Sequence, residues 1–125
     1  MPALNKNSIT LLASISGVNM NTAAPTSLFT VPAGASGCVI THIVVRGASV
    51  SLTTASYSFG FNASAYNDVI ANATHTELTG DTLYTVLTAK AGAKIGAAGD
   101  ILKVLMNTLQ GVAATTTMDV FGYLY

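Results

Sequence analysis

The sequence predicts an all-β chain, an antiparallel β-sandwich of the jelly-roll kind with an extended N-terminal arm. Three observations lead there. Seven or eight short runs of β-branched and aromatic residues recur along the chain, with Gly, Pro, Asn or Asp between them. No stretch keeps an uncontested 3.6-residue apolar period. The length, 125 residues, suits one domain that hides roughly two thirds of its unfolded surface around one core.

Residues 1–24 are small and polar apart from an apolar patch at 9–13 that can form a strand. They are expected as the arm, reaching across a neighbouring subunit through Ile9, Leu11 and Leu12, while residues 25–125 form the sandwich domain. Pro25 and the Pro32-Ala33-Gly34 turn bracket a strand over residues 27–31.

In "CVITHIVVR", residues 38–46, strand alternation sends Val39, Thr41, Ile43 and Val45 to one face and Cys38, Ile40, His42, Val44 and Arg46 to the other. Both faces are mostly apolar, as expected of a strand covered on both sides. In "SYSFGFNAS", Tyr57, Phe59 and Phe61 share a core face, opposite Ser56, Ser58, Gly60 and Asn62. Gly60 marks a bulge or a tight approach of another strand.

Residues 64–81 mix turn formers with isolated apolar residues and read as a long connection with room for one short turn of helix. A strand follows in "TLYTVLT", with Tyr84, Val86 and Thr88 opposite Leu83, Thr85 and Leu87. "GAKIGAAGD" reads as turns. In "DILKVLMNTLQG" helix and strand spacing compete, and the glycines at 99 and 111 favour a strand. The end, "TTTMDVFGYLY", alternates Met118, Val120, Gly122 and Leu124 with Asp119, Phe121, Tyr123 and Tyr125, so it is expected to be tied into a sheet.

Composition bounds the function. Charged residues are 8% of the chain, hydrophobic residues 50%, and the formal net charge is zero. A lone monomer with so little charge lacks self-repulsion, which implies that copies of itself or a larger assembly cover much of its surface. Lys6, Arg46, Lys90, Lys94 and Lys103 are scattered and balanced by Asp68, Glu77, Asp81, Asp100 and Asp119, so nucleic-acid binding finds no support. Every window long enough to span a membrane is interrupted by Ser, Thr, Asn or Gly. Lys6 ahead of an apolar stretch imitates a signal peptide, but Ser8, Thr10, Ser14, Ser16 and Gly17 dilute it.

Chemistry is sparse. Cys38 has no cysteine partner within the chain. Four residues of strand put Cys38 and His42 about 13 Å apart, too far to share a zinc ion. His75 and Glu77 lie on one side of an extended loop within reach of Asp68 or Asp81, a grouping that solvated loops produce by chance. A cupin-type enzyme needs closely spaced histidines plus another downstream, whereas only His42 and His75 exist, 33 positions apart. Nucleophile elbows, phosphate loops and dinucleotide fingerprints are missing. The expectation is no catalytic residue, no metal and no cofactor. Asn62-Ala63-Ser64 and Asn72-Ala73-Thr74 fit glycosylation acceptors, which matter only in a eukaryotic secretory route.

Taken together, "SLFTVPAG", "VITHIVVRG", "FGFNAS", "HTELTGDTLYTVL", "AGAKIGAAGD" and "DVFGYLY" give a texture that resembles small structural proteins of tailed bacteriophages, from about residue 27 to the C-terminus. The resemblance implies a Thr/Ala/Gly-rich β-sandwich, a homotrimer, that decorates or cements the outside of a head shell. It would be made in the bacterial host cytoplasm and would have the major capsid protein or another virion protein as partner. Two-faced apolar patterning places the expected subunit interface at Ile40, His42, Val44, Arg46, Phe121, Tyr123 and Tyr125. The alternative is a tail, neck or fibre component that recognises host glycan through Tyr66, Asn67, Asp68, His75 and Glu77.

Overall fold

The computed structural model describes residues 8–125. Eight strands run in chain order: β1 (Thr10–Asn19), β2 (Thr26–Thr30), β3 (Cys38–Arg46), β4 (Ser56–Gly60), β5 (Ile70–Thr74), β6 (Tyr84–Thr88), β7 (Ile101–Thr108) and β8 (Thr115–Leu124). They form two four-stranded sheets, a front sheet ordered β1-β8-β3-β6 and a back sheet ordered β2-β7-β4-β5. Every strand pairing is antiparallel. The fold is the expected all-β sandwich, and no helix occurs among the described residues.

The pairings β1 with β8, β2 with β7, β3 with β6 and β4 with β5 are nested, like a long hairpin rolled up on itself. Between the sheets lies one core, in which Met20, Ile43, Tyr57, Phe59, Leu102 and Met118 are fully buried. Alternation along β7 and β8 delivers Leu102, Val104 and Met106 from one sheet and Met118 and Val120 from the other. The competition between helix and strand at residues 100–111 resolves as a strand because β7 lies between β2 and β4.

Three expectations need correction. Residues 10–24 do not form a separate arm: β1 is a ten-residue strand bonded to β8, and Val18 and Met20 are core residues. Residues 1–7, the rest of the expected arm, lie outside the described residues. The 64–81 segment is not one connection, because β5 interrupts it and pairs with β4.

The third correction concerns β3. Ile40 pairs with Gly122 and His42 with Phe121, so Thr41 is an extra residue, a β-bulge. Alternation therefore changes phase within the strand. Cys38 and Ile40 face the core before the bulge, and Ile43 and Val45 face it afterwards. Ile40, expected at a subunit interface beside His42 and Val44, is instead buried inside its own chain. Gly122 makes the bulge possible: a Cβ there would collide with the Val39 carbonyl.

Candidate functional site: the front sheet

Cross-strand pairing assembles the outer face of the front sheet row by row. One row runs Leu11, Phe121, His42, Thr88. The next runs Ser14, Asp119, Val44, Val86, and a third runs Thr117, Arg46, Tyr84. Val39 and Tyr123 pair towards the chain terminus. Residues from strands far apart in sequence thus share one surface.

Of the expected interface residues, His42, Val44, Phe121 and Tyr123 are half-buried on this face and Arg46 is exposed there. Tyr125 sits at its end, where its carbonyl accepts the N–H groups of Ser36 (2.6 Å) and Gly37 (3.1 Å). Leu11, Tyr84 and Val86 were not expected on it, yet they are its most open large apolar residues, at 53%, 67% and 47% exposure. The period-two pattern of Tyr84, Val86 and Thr88 was a legible signal for two of these three. Ile9 is exposed just before β1, whereas Leu12, the extra residue of a bulge in β1, packs against the core of its own chain.

Polarity on the face is internally matched. Arg46 Nε donates to Asp119 Oδ2 at 2.8 Å, and Ser14 Oγ donates to Asp119 Oδ1 at 2.6 Å. The Arg46 guanidinium leads in holding the Asp119 carboxyl below the ordinary carboxylate range; burial opposes it, and the Ser14 hydroxyl adds to the lowering. His42 lies flat on Phe121. The outer face of the back sheet differs: Ser27 and Lys103 are paired there, and Asn107 donates to Ser58 Oγ (3.1 Å) and Asn72 Oδ1 (2.9 Å).

The expected recognition residues are not brought together. Tyr66, Asn67 and Asp68 precede β5 while His75 and Glu77 follow it, which separates the two groups by roughly 17 Å of strand. Asn62 Oδ1 accepts the Asn67 and Asp68 N–H groups, and Asp68 Oδ1 accepts the Phe61 N–H at 2.8 Å, so these side chains close their own loop. That loop folds tightly over Gly60, where a Cβ would meet Asp68 Oδ1 at 2.5 Å. The approach expected at Gly60 is made by a loop rather than by a strand. Lys103 Nζ lies 5.5 Å above the Tyr66 ring.

At the far end of β5, Thr85 Oγ1 donates to Glu77 Oε2 at 2.7 Å, and His75 Nδ1 lies 3.5 Å from the same oxygen. The Thr85 hydroxyl leads in lowering the Glu77 pKa. Beneath them the Tyr57 hydroxyl is buried with no partner, as is His75 Nε2, and burial strongly raises the Tyr57 pKa. Cys38 points into the core, where burial pushes its thiol up to about 11, while His42 points outward. Among the described residues no three His, Cys, Asp or Glu side chains cluster to hold a metal ion, and no cleft opens for a small ligand.

No family model matches this chain, and no curated protein matches it. Among solved structures it is similar to a chain of the cyanophage Pam1 capsid asymmetric unit, with a TM-score of 0.58 and 12% identity. The match covers 96% of this chain and 87% of that one. The likeness is one of fold along nearly the whole length.

Proposed function

We propose that this chain is a structural protein of a bacteriophage virion, a capsid decoration or cement protein on the head surface that works as a homotrimer beside the major capsid protein. The observation that carries the proposal is the front face, where large apolar side chains stay open on the edge strands β1 and β6 and half-buried ones line β3 and β8 around a single matched charge pair. A surface of this kind gains free energy when neighbours cover it, and repetition over a shell multiplies a modest contact.

Two further features support the same reading. The nested strand pairing supports reading the sandwich as a jelly roll, an architecture suited to a compact, rigid body. A chain with this fold occurs within a phage capsid asymmetric unit. The sandwich supplies rigidity and area, and no chemical step is assigned to any residue.

Counting copies in purified particles tests the proposal. Quantitative mass spectrometry is expected to find hundreds of copies, with density spread over the head in an electron-microscopy map. A dozen or fewer copies confined to one vertex would replace decoration with a tail or neck role. Absence from particles would remove the proposal altogether.

A further inference from the structure

We infer that the outer face of the front sheet is covered by a second copy of this chain, packed face-on rather than added strand to strand. The inference rests on the structural role proposed above and names the occupant of that surface. Strand addition is the usual competing mode, because an open edge offers unpaired N–H and C=O groups. Here all four edges are blunted.

β1 is the longest edge strand, and two irregularities break its register, between Leu11 and Ala13 and between Ile15 and Val18. β2 and β5 are five residues long, and each edge pairing carries a register shift. β6 is also only five residues long. A bulged or very short edge twists its backbone groups out of line for a partner strand. The broad face is left as the open surface.

Size and charge favour an identical partner. Strand spacing and length give the front face roughly 500 Å² in projection, about the minimum per partner for a specific interface. Its charged side chains are Arg46 and Asp119, already paired with each other, so the face as a whole is neutral. Another copy of this chain, whose formal net charge is zero, meets it without like-charge conflict, whereas a strongly acidic or basic partner would find no counter-charge. Arg46 uses two of its five guanidinium donors on Asp119 and keeps the remainder for a carbonyl on the facing copy.

Sedimentation velocity of the purified chain over a wide concentration range reads the inference directly. Wild type is expected to self-associate. Val86→Asp, at an exposed position outside the core, is expected to raise the dissociation constant about tenfold or more by burying an unpaired charge. Tyr84→Ser provides a milder second variant, and unchanged circular dichroism confirms folding for each. Ser27→Asp on the back sheet is expected to leave association intact.

A wild type that stays monomeric throughout would overturn the inference, as would association lost in Ser27→Asp and kept in Val86→Asp. A Val86→Asp chain that still self-associates yet is missing from particles would assign the face to another virion protein. That last result would sink the second-copy inference and leave the virion role standing.

Discussion

The His42 imidazole stacks on the Phe121 ring with centroids 4.7 Å apart and planes within 7° of parallel. Thr41, the bulge residue, locks the pair: its hydroxyl donates to the Phe121 carbonyl at 3.2 Å and lies 3.0 Å from His42 Nδ1. His42→Ala is expected to cost about 0.5–1.5 kcal/mol beyond the lost area, read as a lower urea midpoint with unchanged slope.

Tyr57 offers a substitution with the opposite sign. Its hydroxyl is buried without a hydrogen-bond partner, although its ring is part of the core. Tyr57→Phe keeps the ring and removes the unsatisfied group, so stability is expected to rise by about 1 kcal/mol. A fall of similar size on thermal unfolding would mean that the hydroxyl has a partner after all.

Gly122 faces the bulge with no room for a side chain, since the nearest obstacle is the Val39 backbone carbonyl rather than a movable side chain. Gly122→Ala is expected to cost about 2 kcal/mol or more. Calorimetry should show a lower Tm, and hydrogen exchange should quicken first in β3 and β8.

Acid stability carries the mark of Asp119. Arg46 and Ser14 hold its folded pKa below the ordinary carboxylate value of about 3.9. Its contribution is therefore present above that value and lost as pH falls through the depressed folded pKa. Denaturant midpoints measured from pH 5 to pH 2 are expected to fall less steeply for Asp119→Asn than for wild type. Parallel curves would assign the acid loss to other carboxylates, Glu77 first, whose pKa is also lowered.

Much of the sandwich was legible where a strand alternates cleanly or repeats aromatic residues every second position. β6 and β8 show the predicted faces, and Tyr57 and Phe59 of β4 are fully buried as patterned. The failures have physical causes. β1 hides in "TLLASISGVN", where two irregularities break the period and small polar residues dilute it, although Val18 still reaches the core. β5 has only Ile70 buried among its five residues, so turn formers on both sides drown its signal.

The outer face of the front sheet was partly legible for a related reason. Phe121 and Tyr123 follow from strict alternation in β8, whereas Ile40 was misassigned because alternation was carried unbroken through Thr41. The neighbours Leu11, Tyr84 and Val86 come from both edge strands of the front sheet, and only tertiary pairing places them beside His42 and Val44. Asn62 shows a different limit: nothing in "FNASAYND" announces that its amide oxygen gathers two backbone N–H groups.

The extra residue at position 41 also constrains how this chain can diverge. Deleting it would restore an unbroken ladder with His42 and Val44 still outward and Ile43 and Val45 still in the core. A deletion between residues 42 and 46 would instead slide part of β3 by a single position and turn core residues into water. Tolerated length changes in β3 are thus confined to this spot, and they are coupled to the residue type allowed at 122 on the adjacent strand. Descendants that lose one of these two features are expected to lose the other, a paired signature that survives when overall identity has faded.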